Sequence, residues 1–516
     1  MEVEFDYLDT PLLEFSEQPE DLWTIRNAVA GVQIFGGIGS GKSSGSGKTL
    51  AYSYLENGFG GIVLTGKVDE TTTWLKYAKK TNRLKDVVIF GATRPLDGIH
   101  EDFRHKFNKE YQFNPLSYLS EKKETSGKTA NIVALFMSII KAGDRISGMG
   151  GGSSNDPFWD RALQRMIKST IDLLKLAQEG TTKKKTIDLL KLTQEETTKK
   201  KTFDLSVANI SKVIRDTQLL LDDKKEGGGD YVTECLISAG NAAAQGSEST
   251  KRIFEAMDSY FKIDFGSMPE NVRSSVLESF YAFADPFLSG LLADYFASDV
   301  EDDVRPEKTF GEDKIIIIDF PVKEYLQVGI YAQTIYKRLW QQAVERRKVD
   351  KTTKPVFMWV DEAQFFLSED DMMFQTTARS SRACTVMISQ NISNYYATIG
   401  GKNPRDRVNS LLGNLSTKIF HANNDYVTNE WAAKTIGQTR QPEMSMNMGD
   451  ERHSTTMKKA LQNQVEPQDF TLLRNGGKTN QFQVDGIVTV SGKPWSNGRN
   501  YIQTFFYQNE DEFFVE

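Results

Sequence analysis

Two neighbouring glycine-rich motifs near the N-terminus carry residue types that can bind phosphate. The stretch GGIGSGKSSGSGKT, Gly36 to Thr49, contains Gly-Ser-Gly-Lys followed by a hydroxyl residue twice, six residues apart. In the pattern G-x-x-x-x-G-K-[ST], glycines let backbone N–H groups surround phosphate oxygens, while the lysine reaches the outer phosphates and the hydroxyl residue holds Mg²⁺. One nucleotide needs one such loop, so the sequence raises the question of whether Lys42 or Lys48 contacts phosphate.

The spacing favours the first copy. The β-prone run Val32 to Phe35 ends directly at the loop, and Gly36 to Ser43 fits the pattern at every position. Counted back from Lys48, the second copy has Lys42 instead of glycine at its first position and is separated from the strand by six extra residues. The residues predicted to bind nucleotide are therefore Gly36, Gly37, Gly39, Ser40, Gly41, Lys42 and Ser43, with Ser43 also a metal ligand.

This choice has a cost in the helix that follows the loop. Gly45 and Gly47 then fall in its first turns, where each glycine costs about 1 kcal/mol relative to alanine. We expect these small residues to let the helix pack closely on the sheet.

An acidic pair far along the chain supplies the second half of an ATP site. The apolar run Val356 to Val360 ends in Asp361 and Glu362. On a parallel strand, Asp361 is predicted to hold Mg²⁺ and Glu362 to accept a proton from the water that attacks the γ-phosphate. Because loop and acidic strand occur in the order expected of an ATPase, the sequence predicts ATP and Mg²⁺ as cofactors.

Polar residues near the next strand are further candidates. Gln390 follows the run Thr385 to Ser389, at the sheet edge where open α/β proteins bind ligands, and it either senses the γ-phosphate or simply ends a strand. Arg379 and Arg382 are candidate arginine fingers that reach a neighbouring subunit's nucleotide, with ordinary surface arginines as the alternative. Arg273 is a further candidate of the same kind.

The composition is that of an ordinary globular protein. With 516 residues, 39% hydrophobic and 26% charged, the chain is expected to form two or three domains. No apolar run approaches the roughly 18 residues of a membrane helix, and the acidic N-terminus lacks the features of a signal peptide, so we expect a cytoplasmic protein with no direct membrane span.

The net charge of −7 leaves nucleic acid open as a partner, because a ring can concentrate positive charge in its pore.

No second active site or metal centre is indicated. The two cysteines are far apart and the histidines show no metal-ligand spacing. These residues are Cys235, Cys384, His100, His105, His421 and His453.

The chain alternates α/β and helical signals. A βαβ rhythm over residues 32–90 predicts a mostly parallel sheet, helical periodicity dominates from about 115 to 300, and the α/β rhythm then resumes. The predicted division is an N-terminal segment 1–30, a first core part 31–113, an all-α insert 114–300, a second core part 301–440, and a C-terminal segment with strands 441–516.

A 16-residue repeat lies inside the insert. Its copies are TIDLLKLAQEGTTKKK from Thr170 and TIDLLKLTQEETTKKK from Thr186. Sixteen residues at about 100° each rotate a helix face by roughly 160°, so one straight helix would point the two apolar stripes in nearly opposite directions. We therefore expect helix, turn, helix, with Gly180 in the turn. The two lysine runs either contact phosphate backbone or belong to a duplicated, solvated loop.

An ordered set of motifs resembles a known family. The set is GGIGSGKSSGSG, GFGGIVLTGKVDE, FNPLSY, NDPFW, VRSSV, VDEAQ, ARSSRACTVMISQN and NDYVTNEWAAKTIG. Together these motifs resemble type IV coupling proteins of the TraG/TraD kind, which are hexameric RecA-like ATPases of the HerA and FtsK superfamily that pump DNA into conjugative secretion channels.

The resemblance implies a RecA-like P-loop NTPase core and an all-α domain that faces the substrate. It also implies that Gly36 to Ser43 is the nucleotide loop, that Asp361 and Glu362 are the Mg²⁺ and catalytic acids, and that Gln390 is the sensor. No counterpart of the family's membrane anchor is recognised, and the second Gly-Ser-Gly-Lys lies outside the family pattern.

Motifs and resemblance together predict a ring-forming ATPase, expected to be a hexamer, that uses ATP hydrolysis to translocate nucleic acid, most simply DNA. Relaxase, secretion or defence proteins are candidate partners. The alternative is an ATP-switched assembly or adaptor ATPase that organises partner proteins and moves nothing.

Overall fold

The computed structural model describes residues 6–91, 107, 109–121, 129–146, 157–190, 203–221, 230–296, 300–399, 403–449 and 452–508. The chain forms two compact units. The first comprises residues 1–89, 306–324 and 340–516, and the second comprises residues 90–305 and 325–339. The predicted core and insert boundaries at 113 and 300 lie inside the second unit.

A large sheet is the centre of the first unit. The described strands are β1 Pro11–Glu14, β2 Leu22–Thr24, β3 Val32–Phe35, β4 Gly60–Leu64, β5 Val87–Gly91, β6 Ile315–Asp319, β7 Val356–Val360, β8 Ala383–Ser389, β9 Thr417–Phe420, β10 Gln438–Gly449, β11 Arg452–Asn463, β12 Gln483–Val490 and β13 Tyr501–Tyr507. The main sheet has the order β13-β12-β9-β3-β8-β7-β4-β6-β5, while β1 with β2 and β10 with β11 form separate antiparallel pairs.

The central strands of this sheet are parallel. Neighbours from β9 through β3, β8, β7 and β4 to β6 run in one direction, and β12 and β13 extend the sheet antiparallel beside β9. Strands β3, β4, β6, β7 and β8 are buried along their whole length, as expected of a parallel sheet covered on both faces. The predicted strands Val32–Phe35 and Val356–Val360 are confirmed residue for residue.

This parallel arrangement positions the candidate site. Because parallel strands end at the same sheet edge, the residues that follow β3, β4, β7 and β8 meet at one carboxyl edge. Short helices connect the strands, and those within the first unit are Ile25–Ala28, Lys48–Glu56, Glu70–Lys80, Lys308–Gly311, Glu369–Thr377, Ile392–Ile399, Pro404–Asn414 and Tyr426–Ile436. The helix Val322–Arg346 is broken at Leu326, whose φ is 48° and ψ −125°.

The regular elements described in the second unit are helices, apart from the end of β5. Its helices are Pro115–Glu121, Thr129–Ile146, Pro157–Leu190, Val207–Leu221, Asp230–Ala244, Glu248–Ser259, Phe265–Ser267, Glu270–Leu288 and Leu291–Phe296, and part of Val322–Arg346 also belongs to it. The largely helical insert of the predicted fold class is confirmed.

The predicted turn at Gly180 is wrong, because the helix Pro157–Leu190 continues through it. A Cβ atom on Gly180 would lie 2.1 Å from the carbonyl oxygen of Ser238. Ser238 Oγ also donates a hydrogen bond to the carbonyl of Ala177 at 2.8 Å. The glycine therefore permits a close crossing with the helix Asp230–Ala244 instead of a turn. The lysine runs of the repeat lie outside the described side chains.

Candidate active site

The loop Gly36 to Ser43 leaves β3 at the carboxyl edge of the sheet. Gly39 and Gly41 have φ of 70° and 79°, a left-handed conformation that glycine adopts without the strain of a side chain. The buried Ser40 Oγ has no hydrogen-bond partner among the described residues. Glycine backbone and an unsatisfied buried hydroxyl are features that suit a phosphate group.

Ser43 and Lys42, from the first copy of the motif, lie beside the acidic residues that follow β7. Ser43 Oγ donates a hydrogen bond to Asp361 Oδ2 at 2.8 Å. The side chain of Lys42 is buried, and this burial lowers its pKa, while the carboxylates of Asp361 and Glu362 act in the opposite direction. A hydroxyl beside a carboxylate is an oxygen donor set of the kind that Mg²⁺ prefers.

Glu362 is held by several side chains in an unusual backbone conformation. Its φ of 47° and ψ of 48° are left-handed. Lys67 Nζ lies 3.1 Å from Oε1, and Gln364 Nε2 donates to Oε2 at 2.8 Å. Burial alone would raise the pKa of Glu362, but the hydrogen bond from Gln364 and the ammonium of Lys67 outweigh it, so the pKa is lowered. The side chain is therefore a carboxylate near neutral pH.

Gln390 also reaches this carboxylate. Its Nε2 lies 3.5 Å from Glu362 Oε2, and its backbone carbonyl accepts a hydrogen bond from Asn423 Nδ2 at 2.9 Å. The structure thus brings the loop, both acids and Gln390 together at one edge of the sheet.

The second glycine-lysine copy lies inside the protein and contacts the C-terminal strands. Lys48 Nζ donates to the backbone carbonyl of Gln508 at 2.8 Å. A Cβ atom on Gly45 would lie 3.3 Å from Val484, and one on Gly47 would lie 3.0 Å from the carbonyl oxygen of Lys42. The two glycines therefore allow close packing, as expected from the sequence.

A buried histidine contacts the turn that contains Gly45 and Gly47. The residues Ser43–Gly47 form a π-helical turn, and Ser46 Oγ lies 2.6 Å from His421 Nε2. His421 Nδ1 lies 2.7 Å from the carbonyl oxygen of Asp485. A carbonyl only accepts, so Nδ1 carries the proton and Ser46 donates to Nε2. Burial lowers the pKa of His421 to about 4, which keeps the ring neutral.

The candidate arginine fingers lie away from the loop of their own chain. Arg379 and Arg382 precede β8, at the amino edge of the sheet, and Arg379 is exposed. Arg382 is buried, with a φ of 51°. Its guanidinium donates to the backbone carbonyls of Lys351 and Thr353. Arg382 is therefore engaged within its own chain, in contrast to the finger role predicted from sequence.

Arg273 belongs to the second unit, where its Nη1 donates to the carbonyl of Gly266 at 3.4 Å. The finger roles of Arg273 and the exposed Arg379 stay predictions.

Sequence reasoning missed Lys67, Gln364 and the role of His421. A signal for them was available, because Lys67 follows β4, Gln364 follows β7 and His421 follows β9 directly. Parallel strands bring such residues to one edge, so polar residues after each strand end are candidates of the same kind as Gln390.

Two negative findings apply to the described part of the chain. None of its helices combines the length and apolar character needed to cross a membrane. Within the same residues, no group of three or more His, Cys, Asp or Glu side chains could hold a metal ion. The Ser43 and Asp361 pair contains a hydroxyl and a single carboxylate, so it is not a group of this kind.

Comparison with known proteins identifies one family model that matches part of the chain. Residues 355–474 match the family model described as the TraM recognition site of TraD and TraG. No curated protein matches the chain by sequence.

Solved structures of the plasmid coupling protein TrwB match nearly the whole chain. Unbound TrwBdeltaN70, a bacterial conjugative coupling protein, has a TM-score of 0.53 and 11% identity, covering 97% of this chain and 89% of that chain. TrwB in complex with ADP and Mg²⁺ has a TM-score of 0.53 and 11% identity, covering 96% and 90%. The complex with a non-hydrolysable ATP analogue has a TM-score of 0.52 and 11% identity, covering 97% and 91%.

At this identity the likeness is one of fold. The chain therefore has the RecA-like α/β fold of a conjugative coupling protein, and the match over residues 355–474 confirms the resemblance to TraG/TraD coupling proteins that its motifs predict.

Proposed function

We propose that the protein is a P-loop ATPase that binds ATP with Mg²⁺ at the carboxyl edge of its sheet. The observation that carries this proposal is the 2.8 Å hydrogen bond from Ser43 to Asp361, which joins the glycine loop to the acidic strand. Support comes from TrwB, whose structures hold ADP with Mg²⁺ and a non-hydrolysable ATP analogue on the same fold.

Each side chain has a role in this proposal. The loop from Gly36 to Ser43 holds the phosphates through its backbone, with Lys42 as the counter-charge. Ser43 and Asp361 hold Mg²⁺, which offsets phosphate charge when it is bound. Glu362 accepts the proton of the attacking water and Gln390 orients that water.

We further propose that the working form is a homo-oligomeric ring, most simply a hexamer, that translocates DNA. The match to a TraM recognition model and the fold of a conjugative coupling protein support this proposal. Relaxase, secretion or defence proteins are the proposed partners, and the cytoplasm is the proposed site of action because ATP and DNA are both present there. Arg379 of a neighbouring subunit is the proposed finger.

The rival function is an ATP-switched adaptor that organises partner proteins. ATP hydrolysis with and without DNA separates the two. A motor should hydrolyse ATP several-fold faster with DNA, and an adaptor should show equal rates in both conditions. The hydrolysis of GTP should be measured beside that of ATP, because a structure of TrwB holds a non-hydrolysable GTP analogue.

A further inference from the structure

Two side chains outside the predicted catalytic set hold both carboxylate oxygens of Glu362. Lys67 Nζ lies 3.1 Å from Oε1. Gln364 Nε2 donates to Oε2 at 2.8 Å, and Gln364 Oε1 in turn accepts a hydrogen bond from Ser389 Oγ at 2.8 Å. The orientation of the carboxylate is therefore fixed from β4, β7 and β8 together.

The loop that carries Lys67 is built against Glu362. A Cβ atom on Gly66 would lie 3.2 Å from Glu362 Cβ, so glycine avoids a tight contact at this position. The Gly66 amide donates to Glu70 Oε2 at 2.8 Å, which anchors the loop to the helix Glu70–Lys80.

The backbone of Glu362 needs such support. Its left-handed conformation is rare for a residue with a side chain and persists only when the surroundings impose it, often at functional sites. The ion pair with Lys67 also differs from a surface pair of little value, because the Glu362 side chain is only 4% exposed and that of Lys67 30%.

We propose that Lys67 and Gln364 are positioning residues that aim the carboxylate of Glu362 at the attacking water. The proposal rests on the proposed ATPase function. A general base acts only within hydrogen-bond reach of the proton it removes, so a carboxylate that rotates freely is wrongly directed for much of the time. Loss of either side chain should therefore slow the chemical step and spare nucleotide binding.

The test compares kcat with nucleotide affinity in variants of the full chain. Lys67→Ala and Gln364→Ala should each lower kcat for ATP by about tenfold or more, which is part of the roughly 10²–10⁴-fold that acid–base catalysis contributes, while KM and the Kd for ADP change less than about twofold. Lys67→Arg should recover much of kcat, because a guanidinium still reaches the carboxylate. Lys354→Ala, which removes an ion pair of 2.5 Å with Asp313 at a partly exposed position, is the matched control and should behave as wild type.

Repeating the substitution in a variant that already lacks the carboxylate shows whether Lys67 acts through Glu362. In Glu362→Gln, adding Lys67→Ala should change the residual kcat by less than about twofold. An equal fold-loss in both backgrounds, a loss of affinity with unchanged kcat, or an unaffected kcat would each overturn the proposal. Lys67→Met keeps the aliphatic stem and replaces Lys67→Ala if that variant does not fold. A wild type that binds and hydrolyses no nucleotide would instead refute the proposed function itself.

Discussion

Lys42 and Lys48 occupy equivalent places in two copies of one motif, yet their surroundings differ. Both residues are 8% exposed. Burial lowers the pKa of Lys42 and the carboxylates of Asp361 and Glu362, which follow β7, oppose this shift, whereas Lys48 donates to the backbone at Gln508, just after β13. We therefore propose that Lys42 contacts phosphate, whereas Lys48 connects the start of the helix Lys48–Glu56 to the residue after β13.

Substitution of the two lysines should separate these roles. Lys42→Ala should abolish ATP hydrolysis, because it removes the counter-charge at the loop. Lys48→Ala should keep most of the hydrolysis and instead lower the free energy of unfolding by about 1–3 kcal/mol, since a buried acceptor loses its charged donor. Steady-state ATPase assays and urea unfolding measure the two effects. Loss of hydrolysis in Lys48→Ala alone would reverse the assignment.

His421 should make the stability of the protein depend on pH. Its pKa is about 4 in the folded chain because of burial, against an ordinary value of 6.5. The unfolded chain therefore binds more protons than the folded chain between pH 4 and 6.5. The contribution of the neutral, buried His421 to the free energy of unfolding is complete above pH 6.5 and is lost as the pH falls towards 4, up to about 3 kcal/mol.

Urea unfolding of wild type and His421→Gln at pH 7, 6 and 5 checks this prediction. Glutamine does not titrate, so the loss of stability on acidification should be smaller in the variant. Parallel pH profiles for the two proteins would show that His421 is not the titrating group.

At the scale of elements, the sequence predicted several of the parallel strands and little of their arrangement. The β-prone run Val32 to Phe35 and the apolar run Val356 to Val360 identify β3 and β7 to the residue, because a parallel strand buried on both faces is rich in β-prone apolar residues. The strand order depends on long-range pairing that the pattern does not encode. The contact of Gly41 with Val484 of β12, for example, has no local signature.

The candidate site was predictable to the same degree. The loop and the acids have motifs of fixed spacing, and the structure brings them together. Lys67 and Gln364 lie within the family motifs GFGGIVLTGKVDE and VDEAQ, but no phosphate-binding pattern assigns them a role. Their relevance appears only when β4 and β7 are neighbours. Gly180 shows the opposite failure, because a glycine that looks like a turn signal instead permits two helices to cross.

The crossing at Gly180 should be sensitive to a single methyl group. Gly180→Ala should lower the free energy of unfolding by about 1–3 kcal/mol, because the new Cβ atom meets backbone at 2.1 Å. Gly413→Ala is the control, since Gly413 is an exposed residue of the helix Pro404–Asn414 with open space around its Cα atom. That change should raise the free energy by about 0.4–1 kcal/mol. Urea unfolding measures both, and stabilisation by Gly180→Ala would contradict the crossing.

At the scale of the whole molecule, the proposed ring completes each ATP site with Arg379 from a neighbour. A finger arginine is worth on the order of 10³-fold or more in rate. Lys42→Ala subunits keep the finger and lose the loop, while Arg379→Ala subunits keep the loop and lose the finger. Mixed rings should therefore recover part of the ATPase activity that each variant lacks alone.

Subunit exchange must be demonstrated in the same samples, for example by fluorescence transfer between labelled chains. Recovery of activity would support a site shared between subunits. Exchange without recovery, or full activity of a wild-type monomer, would contradict the ring and favour the adaptor function.

Binding and turnover of ATP measured together on Glu362→Gln test the central claim most directly. The change removes the proposed base and leaves Ser43 and Asp361 in place. The account predicts that the variant binds ATP with Mg²⁺ within about threefold of the wild-type affinity and hydrolyses it at least about 100-fold more slowly. Hydrolysis at the wild-type rate, or a large loss of affinity, would contradict the account.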